Sequence, residues 1–339
     1  MTNNGVVHLE LLGAKAISAD EGAFRRQLEP HRRELLAHSY RMLGSVQDAE
    51  DAVQETLLNA WRGMQRFEGR SSLRSWLYRI ATNVCLRMIE RRPARVLPIE
   101  YGPPADPQAP LGPQLVESTW LEPYPDAELG LGDGLAAPEA LYMQREAIEL
   151  AFIAALQHLP ARQRAVLILR DVLGFSGAEV AAALETTPTS VYSLLQRAHA
   201  TLDDRLPERS QSTALRSLGD ERLRAIVNRY VDAWASGDIG AIVAMLTDDA
   251  ILAMPPTATW LRGRDAIRVG LLAGALADGR RWRLLPTSAN AQVAMGAYVL
   301  AGSGAFQPYG VTVLSLRGDR VAEINTFRDP SAPARFGLP

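Results

Sequence analysis

The chain has 339 residues, 47% of them hydrophobic, which is enough for two or three domains with buried cores. Its net charge of -2 excludes a uniformly basic nucleic-acid-binding protein. Whether the chain has a surface for nucleic acid therefore depends on how charge is distributed along it. A single cysteine, Cys85, excludes disulfides within the chain, and no apolar run approaches the roughly 20 residues that span a bilayer. Because the N-terminus also lacks a secretion-signal pattern, we expect a cytoplasmic protein without membrane contact.

An N-terminal tail over residues 1–22 precedes the first helical unit, in which the sequence predicts an acidic helix from Ser45 to Trp61. Ser45 is placed to cap this helix and Asp48 to complete a capping box. Acidic side chains cluster in its N-terminal half, where the helix dipole favours them: Asp48, Glu50, Asp51 and Glu55. Helix stabilisation alone could explain these carboxylates. The functional alternative is a surface that phosphate repels and that is free for a protein partner.

A basic amphipathic helix is predicted from Ser71 to Arg92. Residues 62–95 contain nine arginines and only two carboxylates. The polar face of the helix combines guanidinium, amide, hydroxyl and aromatic groups: Arg74, Ser75, Tyr78, Arg79, Thr82, Asn83 and Arg87. Arginines neutralise phosphates, amides and hydroxyls bond to base edges, and aromatic rings stack on unpaired bases. The pattern favours binding to a strand being opened, although a solvated face on a core helix is the ordinary alternative.

The run over residues 31–95, HRRELLAHSYRMLGSVQDAEDAVQETLLNAW and then FEGRSSLRSWLYRIATNVCLRMIERR, resembles region 2 of bacterial sigma factors of the extracytoplasmic-function type. The resemblance implies that residues 23–95 form this region. It implies that four acidic residues dock on the clamp helices of RNA polymerase: Asp48, Glu50, Asp51 and Glu55. It further implies that the 66–72 loop holds a flipped-out base and that these residues face the melted minus-ten promoter element: Arg66, Phe67, Ser72, Arg74, Tyr78, Arg79 and Asn83.

Residues 96–138 are rich in proline and glycine, carry only acidic charges and predict an extended linker. One interpretation is a flexible tether; the resemblance to sigma factors implies instead a strand that threads the RNA exit channel of the polymerase. Within the linker, STWLEPYPD contains Trp120, Leu121 and Tyr124, which are too apolar for full exposure. We therefore expect these side chains to contact a folded domain. The stretch is similar to the tryptophan-leucine-proline motif of sigma factors that carry an appended C-terminal domain.

Residues 139–206 predict a helix-turn-helix, with Ser176 and Thr187 capping its two helices. Glu185 stands in the turn, where glycine is the easier choice, and plain helix packing is as good an interpretation as DNA binding. The phrase LPARQRAVLILRDVLGFSGAEVAAAL resembles region 4 of the same sigma factors. That resemblance implies that the recognition helix reads the minus-thirty-five element through five side chains: Thr189, Ser190, Ser193, Gln196 and Arg197.

Beyond a short linker at residues 207–219, residues 220–330 predict three helices followed by four strands, an α+β cone with an interior pocket. The patterns YVDAWASGDIGAIVAMLTDDAILAMPP and WLRGRDAI resemble the SnoaL-like domains of the nuclear-transport-factor-two superfamily. All five histidines precede this domain, so a catalytic histidine of the SnoaL type is absent. Asp249 or Glu323 with Tyr298 or Tyr309 could form an acid-base pair, but acidic residues at such positions are more often solvated. We expect no catalytic residue, metal site or cofactor, and leave open a small-molecule ligand in the cone; residues 331–339 are read as a tail.

Together these patterns predict a multidomain protein with two all-α DNA-binding domains, the second a helix-turn-helix, and a C-terminal α+β cone-shaped SnoaL-like domain. The favoured function is an RNA polymerase sigma factor for promoter-specific initiation, with core polymerase and promoter DNA as partners and the appended domain regulating activity in cis. Two alternatives stay open: a ligand-responsive helix-turn-helix regulator that acts without core polymerase, and an isomerase or cyclase of the SnoaL type. Neither explains the paired acidic and basic helices.

Overall fold

The computed structural model of the chain describes residues 26–64, 67–69, 71–92, 94–115, 120–129 and 145–339. The predicted N-terminal tail and the minus-ten residue Arg66 therefore lie outside the described residues. In the part of the chain that is described, no helix combines the length and apolarity needed to cross a membrane.

The first helical unit consists of α1 (residues 26–43), α2 (Val46–Gly63) and α3 (Leu73–Ile89). Ser45 caps α2 by accepting a hydrogen bond from the Asp48 backbone N–H, and Ser72 caps α3 in the same way. The acidic and basic helices predicted from the sequence thus form nearly where the caps and the apolar spacing place them, and they pack on each other and on α1.

The second helical unit contains α6 (Leu150–Gln157), α7 (Ala161–Leu167), a π-helical turn (Ile168–Val172), α8 (Gly177–Ala183) and α9 (Pro188–Asp203). Helices α8 and α9 form the predicted helix-turn-helix. Ser176 and Glu179 make a full capping box at α8, and Thr187 caps α9. Glu185, in the turn, has a φ of 51°, in the left-handed region that favours glycine.

The C-terminal domain is an α+β structure with a six-stranded sheet in the order β2-β1-β6-β5-β4-β3. β1 pairs parallel to β6 and the other neighbours are antiparallel. Its strands are β1 (Leu246–Ala253), β2 (Trp260–Arg262), β3 (Trp282–Ala289), β4 (Gln292–Leu300), β5 (Phe306–Arg317) and β6 (Arg320–Phe327). Its helices are α10 (Gln211–Leu218), α11 (Asp220–Ser236), α12 (Ile239–Ala244), α13 (Arg264–Ala273) and α14 (Ala332–Arg335). The predicted fold class, two helical units followed by an α+β domain, is confirmed.

Two hydrophobic cores organise the molecule. One lies inside the C-terminal domain, between helices α11–α13 and one face of the sheet. The other is continuous through both helical units and the linker, and it also takes in Ala294, Val313 and Phe327 from the opposite face of that sheet. The sheet is therefore buried on both faces in this region, and the three folded parts share one core.

The linker is docked along the C-terminal domain, with short helices α4 (Pro98–Tyr101) and α5 (Asp126–Leu129). The Ala105 N–H donates to the Trp260 carbonyl (2.8 Å), and the Leu115 N–H donates to the Pro256 carbonyl (3.0 Å). Residues 331–339, read from the sequence as a tail, contain α14 and contact the sheet, where the Tyr298 hydroxyl donates to the Pro339 carbonyl (2.7 Å).

Candidate promoter-binding and polymerase-binding surfaces

The basic helix α3 divides its predicted minus-ten residues between solvent and the protein. Arg79 is exposed, Arg74 and Asn83 are half-buried, and Ser72 is exposed at the cap. Tyr78 is 1% exposed, and its hydroxyl donates to the Glu34 carboxylate (3.2 Å), which also accepts from the Arg74 Nε (3.0 Å). Burial raises the pKa of the Tyr78 phenol, which therefore stays neutral. Tyr78 does not have the free ring that the sequence interpretation expected.

The helix-turn-helix covers this part of α3. The guanidinium carbon of Arg74 lies 4.9 Å from the ring centroids of both Tyr78 and Phe175, and the two rings meet edge to face at 5.3 Å. Glu185 pairs with Arg79 (3.2 Å), and the Ser75 hydroxyl donates to Glu179 (3.3 Å). The surface expected to meet promoter DNA thus faces α8 and its turn.

On the acidic helix α2, Glu50, Asp51 and Glu55 are exposed, and Glu55 pairs with Arg87 of α3 (2.7 Å). Asp48 differs from the expectation that it forms part of an open docking face. Its carboxylate is buried and forms ion pairs with Arg92 and with Arg95 (2.6 Å). In this arrangement Asp48 can serve as a structural anchor, because its charge is fully engaged inside the protein.

The linker clasps the N-terminus of α2. The Glu122 carboxylate accepts from the Ser45 hydroxyl (3.0 Å) and from the Val46 N–H (2.9 Å). Arg95 donates both to Asp48 and to the Trp120 carbonyl (2.9 Å). Sequence reasoning missed Glu122 and Arg95, although the acid two residues after Trp120 in WLEP is a signal that a helix N-terminus would attract.

Leu121 of the linker packs against Gly44, which ends α1 with a φ of 69°. A Cβ on Gly44 would lie 2.5 Å from the Leu121 Cδ2, so glycine serves both the left-handed turn and the close approach of the linker. Trp120 donates its ring N–H to the Pro256 carbonyl of the C-terminal domain (2.9 Å). The linker segment is therefore held between the first helical unit and the C-terminal domain.

Asn290, in the β3–β4 turn of the C-terminal domain, contacts the linker and both helical units. Its φ is 55°, a conformation that asparagine tolerates well, and the residue is fully buried. Its side-chain oxygen accepts from the Tyr124 N–H (2.8 Å), and its amide nitrogen donates to the Tyr40 hydroxyl and to the Ile148 carbonyl (2.8 Å each). One side chain thus joins the linker, the first helical unit and the segment that leads into α6. Sequence reasoning read Asn290 only as a turn signal.

On the recognition helix α9, Thr189, Ser193, Gln196 and Arg197 are exposed and Ser190 is half-buried, so all five predicted side chains reach the surface of this helix. Their face also carries Tyr192, which sequence reasoning omitted and which is 56% exposed. Its hydroxyl lies over Gly177 at the start of α8. Helical spacing from Thr189 and Gln196 was the signal that could have found it.

The residues weighed for catalysis lie in different environments. Asp249 is exposed and pairs with Arg317 (3.1 Å), whose hydrogen bonds lower the pKa of that carboxyl. Burial raises the pKa of Glu323 on β6, while Tyr298 is committed to the chain end. Inside the cone, Trp234, Trp282 and Tyr309 stack edge to face. Among the described residues no group of three or more His, Cys, Asp or Glu side chains could hold a metal ion.

An acidic helix, an arginine-bearing helix and a helix-turn-helix, in this order and with an appended α+β domain, define a promoter-recognition protein of the sigma type. Family models match at three places: Sigma-70 region 2 over residues 28–94, Sigma-70 region 4 over residues 149–202, and the SnoaL-like domain over residues 227–329.

Similar proteins agree with these matches. The chain is 45% identical over 327 residues to the ECF RNA polymerase sigma factor SigG of Mycobacterium tuberculosis, covering 95% of this chain and 86% of that protein. It is 32% identical over 194 residues to SigM of the same species, covering 57% of this chain and 81% of that protein. The crystal structure of the M. tuberculosis ECF sigma factor SigJ matches with a TM-score of 0.56 at 22% identity, covering 93% of this chain and 99% of that one. This chain belongs to the ECF family of RNA polymerase sigma factors and carries a C-terminal SnoaL-like domain.

Proposed function

We propose that the C-terminal domain regulates this sigma factor in cis by holding the linker and both helical units in one arrangement, in which the helix-turn-helix covers part of α3. We call this the closed arrangement. Core polymerase would then select an open arrangement, in which α2 is free for the polymerase and α3 for the minus-ten element. We propose that the protein works in the cytoplasm, where core polymerase acts, and that the C-terminal domain has no catalytic role. The observation that carries the proposal is the hydrogen-bonding of Asn290 to three parts of the chain.

Asn290 supports the proposal because its bonds cross domain boundaries. Tyr40, its partner in the first helical unit, also donates to the Glu122 carbonyl (2.7 Å), so the turn, the linker and α1 form one polar network. A second residue of the same hairpin, Gln292, accepts from the Leu150 N–H at the start of α6 (2.9 Å). Buried networks of this kind fix one geometry, since a partner that moves away leaves an unpaired polar group behind.

The shared core supports it as well. The outer sheet face contributes Ala294, Val313 and Phe327 to the core of the helical units. Removing the whole C-terminal domain would expose that core, so a truncated chain is a poor test. A point change in the hairpin leaves both cores in place and alters only the polar network.

Two surfaces are proposed for the open form. On α2 we assign polymerase binding to Glu50, Asp51 and Glu55, with Asp48 joining only if the linker releases it. Promoter contacts are assigned to α3 together with residues that precede it in the chain, and to α9. For the minus-ten element these are Arg66, Phe67, Ser72, Arg74, Tyr78, Arg79 and Asn83. For the minus-thirty-five element these are Thr189, Ser190, Ser193, Gln196 and Arg197.

The test compares Asn290→Gly with Asp278→Gly. Both native residues have a positive φ, so glycine relieves the backbone in both, but Asp278 is exposed in a short 3-10 turn of the C-terminal domain, whereas Asn290 is buried. We expect Asn290→Gly to bind core polymerase more tightly and to change promoter-dependent transcription, while Asp278→Gly behaves as the unchanged protein. Equal core affinity and equal transcription in all three proteins would refute regulation in cis. Tight duplex binding by the free protein, independent of core, would instead favour a stand-alone regulator.

A further inference from the structure

The closed arrangement places a particular set of side chains on α3. The Phe175 ring, just before α8, meets two of the α3 residues assigned to the minus-ten element: it packs edge to face on Tyr78 and lies 4.9 Å from the Arg74 guanidinium carbon. Phe175 is 7% exposed, so this contact is dry. An aromatic ring set against an arginine and a tyrosine is the chemistry by which proteins hold a splayed nucleobase.

Two carboxylates accompany the ring. Glu185 pairs with Arg79 (3.2 Å), and Glu179 accepts from the Ser75 hydroxyl (3.3 Å). Arginine and serine are residues that contact phosphate oxygens of a nucleic acid backbone. The helix-turn-helix therefore presents to α3 one flat ring and two anionic groups. A short single strand of DNA presents the same kinds of group, a flat base and anionic phosphates.

Glu185 shows that the anionic group is not incidental to the turn. Its φ of 51° disfavours glutamate, and glycine would fit this turn without strain. Its carboxylate is largely exposed and its ion pair with Arg79 adds little to stability. A glutamate therefore adds little to the stability of the folded turn, whereas a surface that must compete with phosphate gains a charge.

We propose that the helix-turn-helix carries an internal imitation of the minus-ten strand, with Phe175 in the place of a base and Glu179 and Glu185 in the place of phosphates. It competes in cis with single-stranded DNA for α3. The inference rests on the proposed role of α3 in minus-ten binding, but not on regulation by the C-terminal domain.

The test uses the full-length protein with Glu179→Gln and Glu185→Gly together. Glutamine keeps the capping box of α8, and glycine relieves the turn, so the helix-turn-helix keeps its fold. A matched control, Asp204→Asn with Glu208→Gln, removes the same two charges from exposed positions at the end of the same unit. The probe is a fluorescein-labelled single-stranded oligonucleotide of degenerate sequence, titrated at two salt concentrations.

We expect the double variant to bind the oligonucleotide about 3- to 10-fold more tightly than the control, because each released contact is weak. We also expect a steeper salt dependence, by roughly 0.7 in the logarithmic slope for each additional phosphate contact on a single strand. Adding Arg79→Ala should cancel the gain. Equal affinity of variant and control would refute the proposal that the helix-turn-helix imitates the minus-ten strand. A gain that survives Arg79→Ala would refute the claim that the oligonucleotide binds α3. Asn290→Gly reports separately on the C-terminal domain, so the two proposals fail independently.

Discussion

Replacing Glu122 by glutamine isolates the clasp between the linker and the acidic helix. The glutamate charge sits at the N-terminus of α2 and accepts two hydrogen bonds, from the Ser45 hydroxyl and the Val46 N–H. A neutral amide oxygen weakens each bond by about 1 kcal/mol, and loss of the charge at the helix terminus removes about 0.5–1 kcal/mol more. We therefore expect the clasp to lose about 2–3 kcal/mol.

Hydrogen exchange of the first-turn amides of α2 measures this loss directly. A change of about 2–3 kcal/mol corresponds to exchange that is roughly 30- to 150-fold faster, if the clasp opens before the helix does. The matched control is Asp106→Asn, a linker carboxylate that caps the Gln108 N–H far from α2. Exchange at α2 that is unchanged in Glu122→Gln, or that rises as much in the control, would show that the linker does not stabilise this helix.

Three further predictions concern separate surfaces. Asp51→Lys, on the exposed face of α2, should weaken binding to core polymerase at least tenfold in a titration while leaving the thermal midpoint unchanged; Glu29→Lys on α1 is the control. Tyr192→Ala should lower the affinity of the holoenzyme for promoter duplex but leave single-strand binding intact, and the reverse result would remove Tyr192 from the recognition face. Burial lowers the pKa of His38 to about 3, so stability should fall as the pH drops from about 6.5 towards 3, by at most about 1.4 kcal/mol per pH unit. His38→Gln should flatten that slope in chemical denaturation, and a slope identical to that of the unchanged protein would contradict the assignment.

The sequence predicted the helices whose N-caps are supplied by a neighbouring residue in the chain. Ser45, Ser72, Ser176 and Thr187 each stand at the N-cap that the sequence assigned or allowed, because a side-chain oxygen next to an orphan N–H is a local interaction. The last strand, Arg320–Phe327, is one of the four strands that the sequence predicted, since a Gly-Asp turn precedes it and its apolar residues alternate.

Elements that depend on distant partners were missed. β1 carries the acidic pair Asp248–Asp249, and the sequence pattern predicted no strand there; it is a strand because β6, some 70 residues later, pairs with it in parallel. The three-residue strand β2 exists only against β1. Helix α10 lay in a segment interpreted as a linker, although Ser210 caps it.

The predicted promoter-binding and polymerase-binding surfaces also depend on contacts with residues far away in the chain. The sequence placed charged and aromatic residues correctly on helix faces, but it could not tell which face another domain covers. Tyr78 and Asp48 both belong to the predicted surfaces, and both are buried by partners far away in the chain, Phe175 and Arg95. A helical period gives the orientation of a side chain relative to its own helix only.

Two buried arginines indicate how such an arrangement can still open. Arg41 of α1 donates to the Ala147 carbonyl (3.0 Å), and Arg164 of α7 donates to the Met42 carbonyl (2.5 Å), so each crosses the boundary between the helical units in the opposite direction. Burial lowers the pKa of both to about 10, which means that the closed form disfavours their charges. When the units separate, both guanidinium groups become hydrated. Their hydration offsets part of the free energy that is lost with the apolar contacts. An interface of the same size built from leucines would lack that compensation and would hold the two promoter-binding units together more firmly.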